Sequence, residues 1–268
     1  MIAISRLQVD YGRHQEPVLK GINTALDQKS LILGPNGSGK TTLFRAICGL
    51  TNVSSGEILI DGKKMGDIYA TIGLVSANFE EVYTLLMTDC QNLISLYMDL
   101  VDGDAGVAYD ISRDLGLERD FLKKRRINEL SAGQRKIVCT AMALASKANH
   151  VLLDEPFEQL DPAKKGKLTK HLDSYRGLVI LNTHETWLLR SLQDWLVFFM
   201  FERLMYGPVS VNDLLKAEIS FSEEPDAVLN FRVSGKPVSI CKGIGNRPLL
   251  TSLENLDRIY ELAESEMK

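Results

Sequence analysis

The chain has little of what a membrane-embedded, secreted or nucleic-acid-coating protein needs. Its most apolar run, Trp195 to Phe201, falls far short of the ~20 residues that span a bilayer, so it is not expected to cross a membrane by itself. The opening Met1-Ile2-Ala3-Ile4-Ser5-Arg6 lacks the apolar core of a signal peptide. The four cysteines, Cys48, Cys90, Cys139 and Cys241, are scattered with no C-x-x-C pair. That is unlike a disulfide framework or a zinc site and suits a reducing cytosol. There is no excess of positive charge: the net charge of −4 argues against a sequence-independent nucleic-acid binder. What remains is ordinary globular composition, 45% hydrophobic and 25% charged, over 268 residues. That length suits one large domain, or a domain with a small addition.

The most informative stretch is Gly34-Pro35-Asn36-Gly37-Ser38-Gly39-Lys40-Thr41-Thr42, which fits G-x-x-x-x-G-K-[ST], a phosphate-binding loop. The apolar run Ser30 to Leu33 before it suits a buried strand. Leu43 to Gly49 after it reads as a helix ended by glycine. Gly34, Gly37 and Gly39 let backbone N–H groups approach a polyphosphate. The helix N-terminus adds a partial charge of roughly +0.5. Lys40 supplies a full charge near the β- and γ-phosphates, and the Thr41 hydroxyl is suited to ligate Mg²⁺.

Residues 2–10 and 18–23 alternate loosely and suggest an antiparallel edge, with strands at 55–62 and 72–76 beyond the loop. Tyr11, at the end of the first strand, has a ring that can stack on a purine, but spacing alone favours an ordinary strand-end tyrosine. Leu93, Ile94, Leu96, Tyr97 and Leu100 form one helical set, and Ile111, Leu115, Leu117 and Phe121 another. The basic run Lys123 to Arg126 reads as a solvated face. Ser131 is a good N-cap for a helix through Ala145, and Ser131 with the Gly133 amide reads either as a plain cap or as a second anion site. His150 to Asp154 is a buried strand ending in two carboxylates, Asp154 and Glu155. Asp154 is suited to hold Mg²⁺ and Glu155 to polarise an attacking water. Further strands are expected at 177–184, ending at His184, and at 197–201, then a turn at Gly207-Pro208 and a short helix over 210–216. Alternating strands and helices make this an α/β domain with a mainly parallel sheet, binding ligand at the carboxyl ends of its strands. From 216 onward two strands are expected, 227–233 and 237–241, then a helix capped by Ser252 with Leu253, Leu256, Tyr260 and Ala263 on one face.

In this order the loop, Leu130-Ser131-Ala132-Gly133-Gln134, Val151 to Pro156, Leu160-Asp161 and Thr183-His184 make the chain resemble the ATP-binding cassette (ABC) ATPases over about residues 1–215. The resemblance implies a P-loop ABC ATPase fold. With the strands and helices read above, this gives a mainly parallel core sheet, an antiparallel β edge and a helical insert at about 77–135; beyond the family pattern, residues 216–268 read as a small α+β appendage. It implies an ATPase that powers transport through separate integral membrane subunits, held by them at the cytoplasmic inner face of the cell membrane, with no nucleic-acid partner. ATP and Mg²⁺ are the implied ligands, with Gly34 to Thr42 and Tyr11 binding ATP, Tyr11 by stacking on adenine. Thr41 and Asp154 hold the metal, Glu155 is the general base, and Lys40 and His184 contact the phosphates. A second copy or a paralogous cassette pairs head to tail, its Ser131, Ala132, Gly133 and Gln134 covering the nucleotide in trans, with Asp161 in the loop linking the two sites.

The chain departs from the family pattern at three places. Ala77 stands where a glutamine usually meets metal or water and senses the membrane partner, and Asn78 next to it takes the glutamine's place only if the loop shifts by one residue. Ile137 stands where arginine is common. Phe157-Glu158-Gln159 replaces small residues. The Ala77 departure keeps open a weakly hydrolysing nucleotide switch, and a non-transport soluble ABC ATPase is the other alternative.

Overall fold

The computed structural model describes residues 1–268 apart from 13–15, 69–70, 85–86, 244, 246, 254–255 and 266–268. The chain divides into two compact units, one made of residues 1–68 and 182–268, the other of 69–181. In chain order the first unit begins with β1 (Ile2–Val9), β2 (Leu19–Leu26), β3 (Ser30–Leu33), α1 (Lys40–Ile47), β4 (Ser55–Ile60), β5 (Lys63–Lys64) and α2 (Met65–Ile68). The second unit contains β6 (Val75–Ala77), α3 (Glu80–Thr84), α4 (Cys90–Val101), α5 (Ala105–Asp114), α6 (Arg119–Leu122), α7 (Ala132–Ala145), β7 (His150–Asp154) and α8 (Pro162–Ser174). It ends within β8 (Leu178–Thr183). The first unit then resumes with β9 (Leu196–Phe201), β10 (Leu204–Ser210), α9 (Val211–Leu214), β11 (Ala217–Ser220), β12 (Leu229–Val233), β13 (Lys236–Lys242) and α10 (Arg258–Ser265).

In the first unit, β2-β1-β4-β5 forms an antiparallel sheet. The loose alternation of β1 has a cause: register shifts between Ile4 and Leu7, with Arg6 at φ 48, return Leu7 and Val9 to the buried face. The buried strand β3 pairs in parallel with β9, whose other edge carries β10 antiparallel. The expected turn at Gly207-Pro208 is instead part of β10, where a register shift falls between Tyr206 and Val209. Proline lacks a ladder N–H and is tolerated at such an irregularity of an edge strand.

The segment after residue 216 forms a three-stranded antiparallel sheet, β11-β13-β12; β11 was not foreseen. The expected helix from Ser252 is not formed there. Leu250–Ser252 is a 3-10 turn, the helix begins at Arg258, and residues 254–255 and the side chain of Ala263 lie outside the description. Phe231 of β12 stacks on Phe201 of β9, with ring centroids 4.5 Å apart and planes at 12°.

In the second unit, β6 and β7 run parallel and β8 lies beside β7. Helix α7 is buried along Ile137 to Ala145, as a helix apolar on all sides must be. Ile137 therefore joins the core, which suits its apolar side chain. Leu93, Ile94 and Met98 are the buried face of α4, whereas Leu96 and Leu100 are about half exposed. The expected helical set thus mixed two faces. Ile111, Leu115 and Leu117 are buried, although α5 stops at Asp114. Lys123 to Arg126 are exposed, and Arg125 lies over the Phe121 ring at 4.6 Å. Among the described residues no helix is long and apolar enough to cross a membrane.

The aromatic stack ties the sheet after residue 216 to β9. Phe231→Ala is expected to cost about 3–5 kcal/mol and to lower the denaturant midpoint of the transition that also unfolds β9. An independent appendage would leave that midpoint unchanged.

Candidate functional site

The phosphate-binding loop is built by its neighbours in the first unit. Gly34 donates its N–H to Thr183 O at 3.2 Å. A Cβ added at Gly34 would stand 2.4 Å from Met200 O, an impossible approach to backbone. Gly37 and Gly39 have φ values of 78 and 105, the left-handed region that favours glycine. Gly39 ends the loop as the N-cap of α1, with no side-chain cap, so the first-turn N–H groups face outward as donors. Lys40 is buried, and its Nζ donates to Gly34 O at 2.7 Å and Pro35 O at 3.1 Å. That arches the loop around the lysine. Ser38 Oγ is buried without a hydrogen-bond partner among the described residues. A glycine-lined arch with a buried ammonium, an orphaned hydroxyl and a helix N-terminus fits a polyphosphate. Asn36 and Gly37 are exposed at the crest of the loop, and Pro35 is buried behind it.

Tyr11 lies at the other end of this loop. It is 55% exposed, and its hydroxyl is 3.4 Å from Thr42 Oγ1. Thr41 is exposed on the first turn of α1. His184 is partly buried and follows Thr183, whose carbonyl receives the Gly34 N–H. The loop, Tyr11 and the chain at His184 are therefore brought together within one unit.

The second unit carries the carboxylates Asp154 and Glu155 and the segment Leu130 to Gln134. Asp154 ends β7, and Glu155 follows with φ 45. A non-glycine residue in that region is unusual and points the backbone sharply away from the strand direction. What fixes this corner is Asn78, which is fully buried. Its Oδ1 accepts the Asp154 N–H at 2.7 Å. Its Nδ2 donates to Asp154 O at 3.2 Å and to Thr140 Oγ1 at 3.1 Å. Lys136 Nζ adds a bond to Asp154 O at 3.0 Å. Asn78 is the residue next to Ala77 that takes the glutamine's place only if the loop shifts. Its carboxamide is engaged with the main chain of Asp154, a role no local pattern announced. Ala77 holds the Tyr83 hydroxyl through its carbonyl at 3.0 Å; its methyl offers no ligand.

Ser131 is the N-cap of α7 in a capping box. Its Oγ accepts from Gln134 N–H at 3.3 Å, and Gln134 Oε1 accepts from Ser131 N–H at 3.0 Å. Ser131 and Ala132 are exposed, so the cap leaves the helix start open to an incoming group. Gln159 packs on Gly133, its Oε1 lying 2.6 Å from where a Cβ would stand. Phe157 is buried, which accounts for its bulk among usually small residues. Asp161 is the N-cap of α8, accepting from Lys164 N–H at 2.9 Å. That bond and the Lys164 ammonium hold its carboxyl below the usual range.

The chain is similar in sequence and in fold to known proteins. The family model for "ABC transporter" matches residues 19–158. The taurine import ATP-binding protein TauB of Escherichia coli (strain K12) is 36% identical over 195 residues, 69% of this chain and 74% of TauB. TauB of Shigella dysenteriae gives the same figures. A solved structure described as a candidate cobalt transport ATP-binding protein, cbiO-2, is 35% identical with a TM-score of 0.89, covering 98% of this chain and 100% of that one. The ATP-binding cassette MJ0796 bound to ADP and Pi is 22% identical, with a TM-score of 0.66 over 79% of this chain and 99% of that one, and bears on the fold alone. The chain thus belongs to the ABC transporter family, as an ATP-binding ATPase subunit.

Proposed function

We propose that the chain hydrolyses ATP to drive a transporter whose membrane-spanning parts are separate chains, working at the cytoplasmic inner face of the membrane. The single observation that carries this reading is the Lys40-arched loop, whose geometry fits a polyphosphate and whose family couples such a loop to transport. The names of TauB and cbiO-2 describe an import and a transport role with different cargoes. They support coupling to transport and leave the cargo open.

In this reading Gly34 to Thr42 cradle the ATP phosphates and Tyr11 stacks on adenine. Lys40 neutralises charge between the β- and γ-phosphates. Thr41 and Asp154 would hold Mg²⁺, which supplies further charge neutralisation on the phosphates. Glu155 orients the attacking water and takes its proton, and His184 contacts the γ-phosphate. Ser131, Ala132, Gly133 and Gln134 of a second cassette, a second copy or a paralogue, cover the nucleotide from the far side. The capped, exposed start of α7 supports this role, because its open N–H groups attract an anion. Asp161 lies in the loop that links the two sites of the pair.

Ala77 favours a second reading, a nucleotide switch with slow turnover, because neither its methyl nor the occupied Asn78 carboxamide replaces the usual glutamine. Turnover separates the two readings. Glu155→Gln is expected to lower ATP hydrolysis by ~10²–10⁴-fold with ATP binding retained; a steady-state phosphate-release assay that finds the rate unchanged contradicts the assignment.

Asn78→Leu leaves the buried N–H of Asp154 without its acceptor, a loss of about 1–3 kcal/mol. Turnover should fall with it because the Asp154–Glu155 corner loosens, while ATP affinity stays within about twofold. Thermal unfolding and ATP titration of this variant check both parts.

A further inference from the structure

The loop that binds ATP is already touched by an anion from the end of the chain. Asn36 N–H, at the exposed crest of the loop, donates to Asp257 Oδ1 at 3.0 Å, across 221 positions of sequence. Two more bonds hold the same segment against the chain at His184. Leu256 N–H donates to His184 O at 3.1 Å, and the Thr186 hydroxyl donates to Leu253 O. Leu253, Leu256 and Ile259 are buried beneath these bonds, so Asp257 is presented by an anchored backbone. Asp257 itself is partly exposed. It lies just before α10 and closes that helix's start through Tyr260 N–H on its own carbonyl at 3.1 Å.

We propose that Asp257 is a built-in competitor for the nucleotide: its carboxylate takes a phosphate-binding N–H of the loop, and ATP must displace it to bind. The proposal rests on the reading of Gly34 to Thr42 as the ATP site. A carboxylate offers the same acceptor oxygens as a phosphate and carries the same sign of charge. It therefore satisfies the donor when ATP is absent and repels the phosphates when ATP arrives. Two states follow, one with Asp257 on Asn36 and one with nucleotide on the loop. The apparent Kd for ATP is the intrinsic Kd divided by the fraction of molecules in which Asp257 is withdrawn. Because Leu256 is bonded to His184 O, withdrawal of Asp257 loosens the chain beside the residue assigned to the γ-phosphate. By linkage, anything that holds the segment at Leu256 and Asp257 away from the loop raises ATP affinity by the same factor that ATP raises its own.

The test uses the full chain and a non-hydrolysable ATP analogue. Asp257→Asn keeps the shape and removes the charge, and Asp257→Ala removes both. The expected result is analogue binding about tenfold tighter in Asp257→Ala, with Asp257→Asn between it and the unaltered chain. Amide exchange at Leu256 should be slow in the unaltered chain without nucleotide, fast once the analogue is bound, and fast in Asp257→Ala under both conditions. An unchanged Kd in both variants overturns the proposal while leaving the ATP site intact. Exchange at Leu256 that ignores the analogue also overturns it, even if affinity rises, because the charge alone would then be acting at a distance. Failure of the unaltered chain and both variants to bind the analogue overturns the ATP site and the competitor together.

Discussion

Everything in the first unit follows from one constraint: backbone N–H groups can surround a polyphosphate only where the chain carries no side chain in the way. Gly34 meets that constraint at its limit, since a Cβ there would lie 2.4 Å from the carbonyl of Met200. Met200 is held by β9, which pairs in parallel with β3 along Ser30 to Leu33. The aromatic face of β9 is in turn fixed by Phe231, stacked on Phe201. Buried apolar strands thus fix the backbone, the backbone fixes the loop, and Lys40 arches the loop by donating to two of its carbonyls. The sheet after residue 216 belongs to the same line of support.

The second unit solves a related problem with side chains. Asp154 stands at a strand end, where the backbone turns through Glu155 at positive φ. Such a corner holds only if its surroundings over-determine it. Asn78 does so by pairing with both the N–H and the carbonyl of Asp154 and reaching Thr140 on the buried helix α7. The same helix begins at the Ser131 capping box. One helix therefore steadies the carboxylate corner at its buried middle and presents Ser131 and Ala132 at its exposed start.

Much of this was legible in the sequence because the chemistry demands local patterns. Phosphate binding needs glycines at fixed spacing, an N-cap needs Ser131 or Asp161, and a buried parallel strand needs runs such as Val151 to Leu153. The misreadings came where tertiary structure decides. Leu96 and Leu100 keep helical spacing with Leu93 yet face outward, because periodicity does not say which stripe meets a partner. Pro208 looks like a turn but sits in an irregular edge strand. Ser252 looks like a helix cap, yet α10 starts at Arg258. The bonds of Asn78 to Asp154 and of Asp257 to Asn36 had no signal in the sequence, because the partners lie 76 and 221 positions apart. No short-range signal marks a residue whose role is to hold a distant backbone.

In the proposed function, the loop at Gly34 to Thr42 is half of a catalytic site that another cassette's signature segment completes. The most direct measurement mixes two variants, Lys40→Ala, which spoils the loop, and Gly133→Asp, which spoils the signature. Each alone is expected to be nearly inactive in ATP hydrolysis. A mixed pair contains one site with an intact loop from one copy and an intact signature from the other, so the mixture should regain activity well above either component, increasingly so at higher protein concentration. A mixture that stays as inactive as its components would contradict the account.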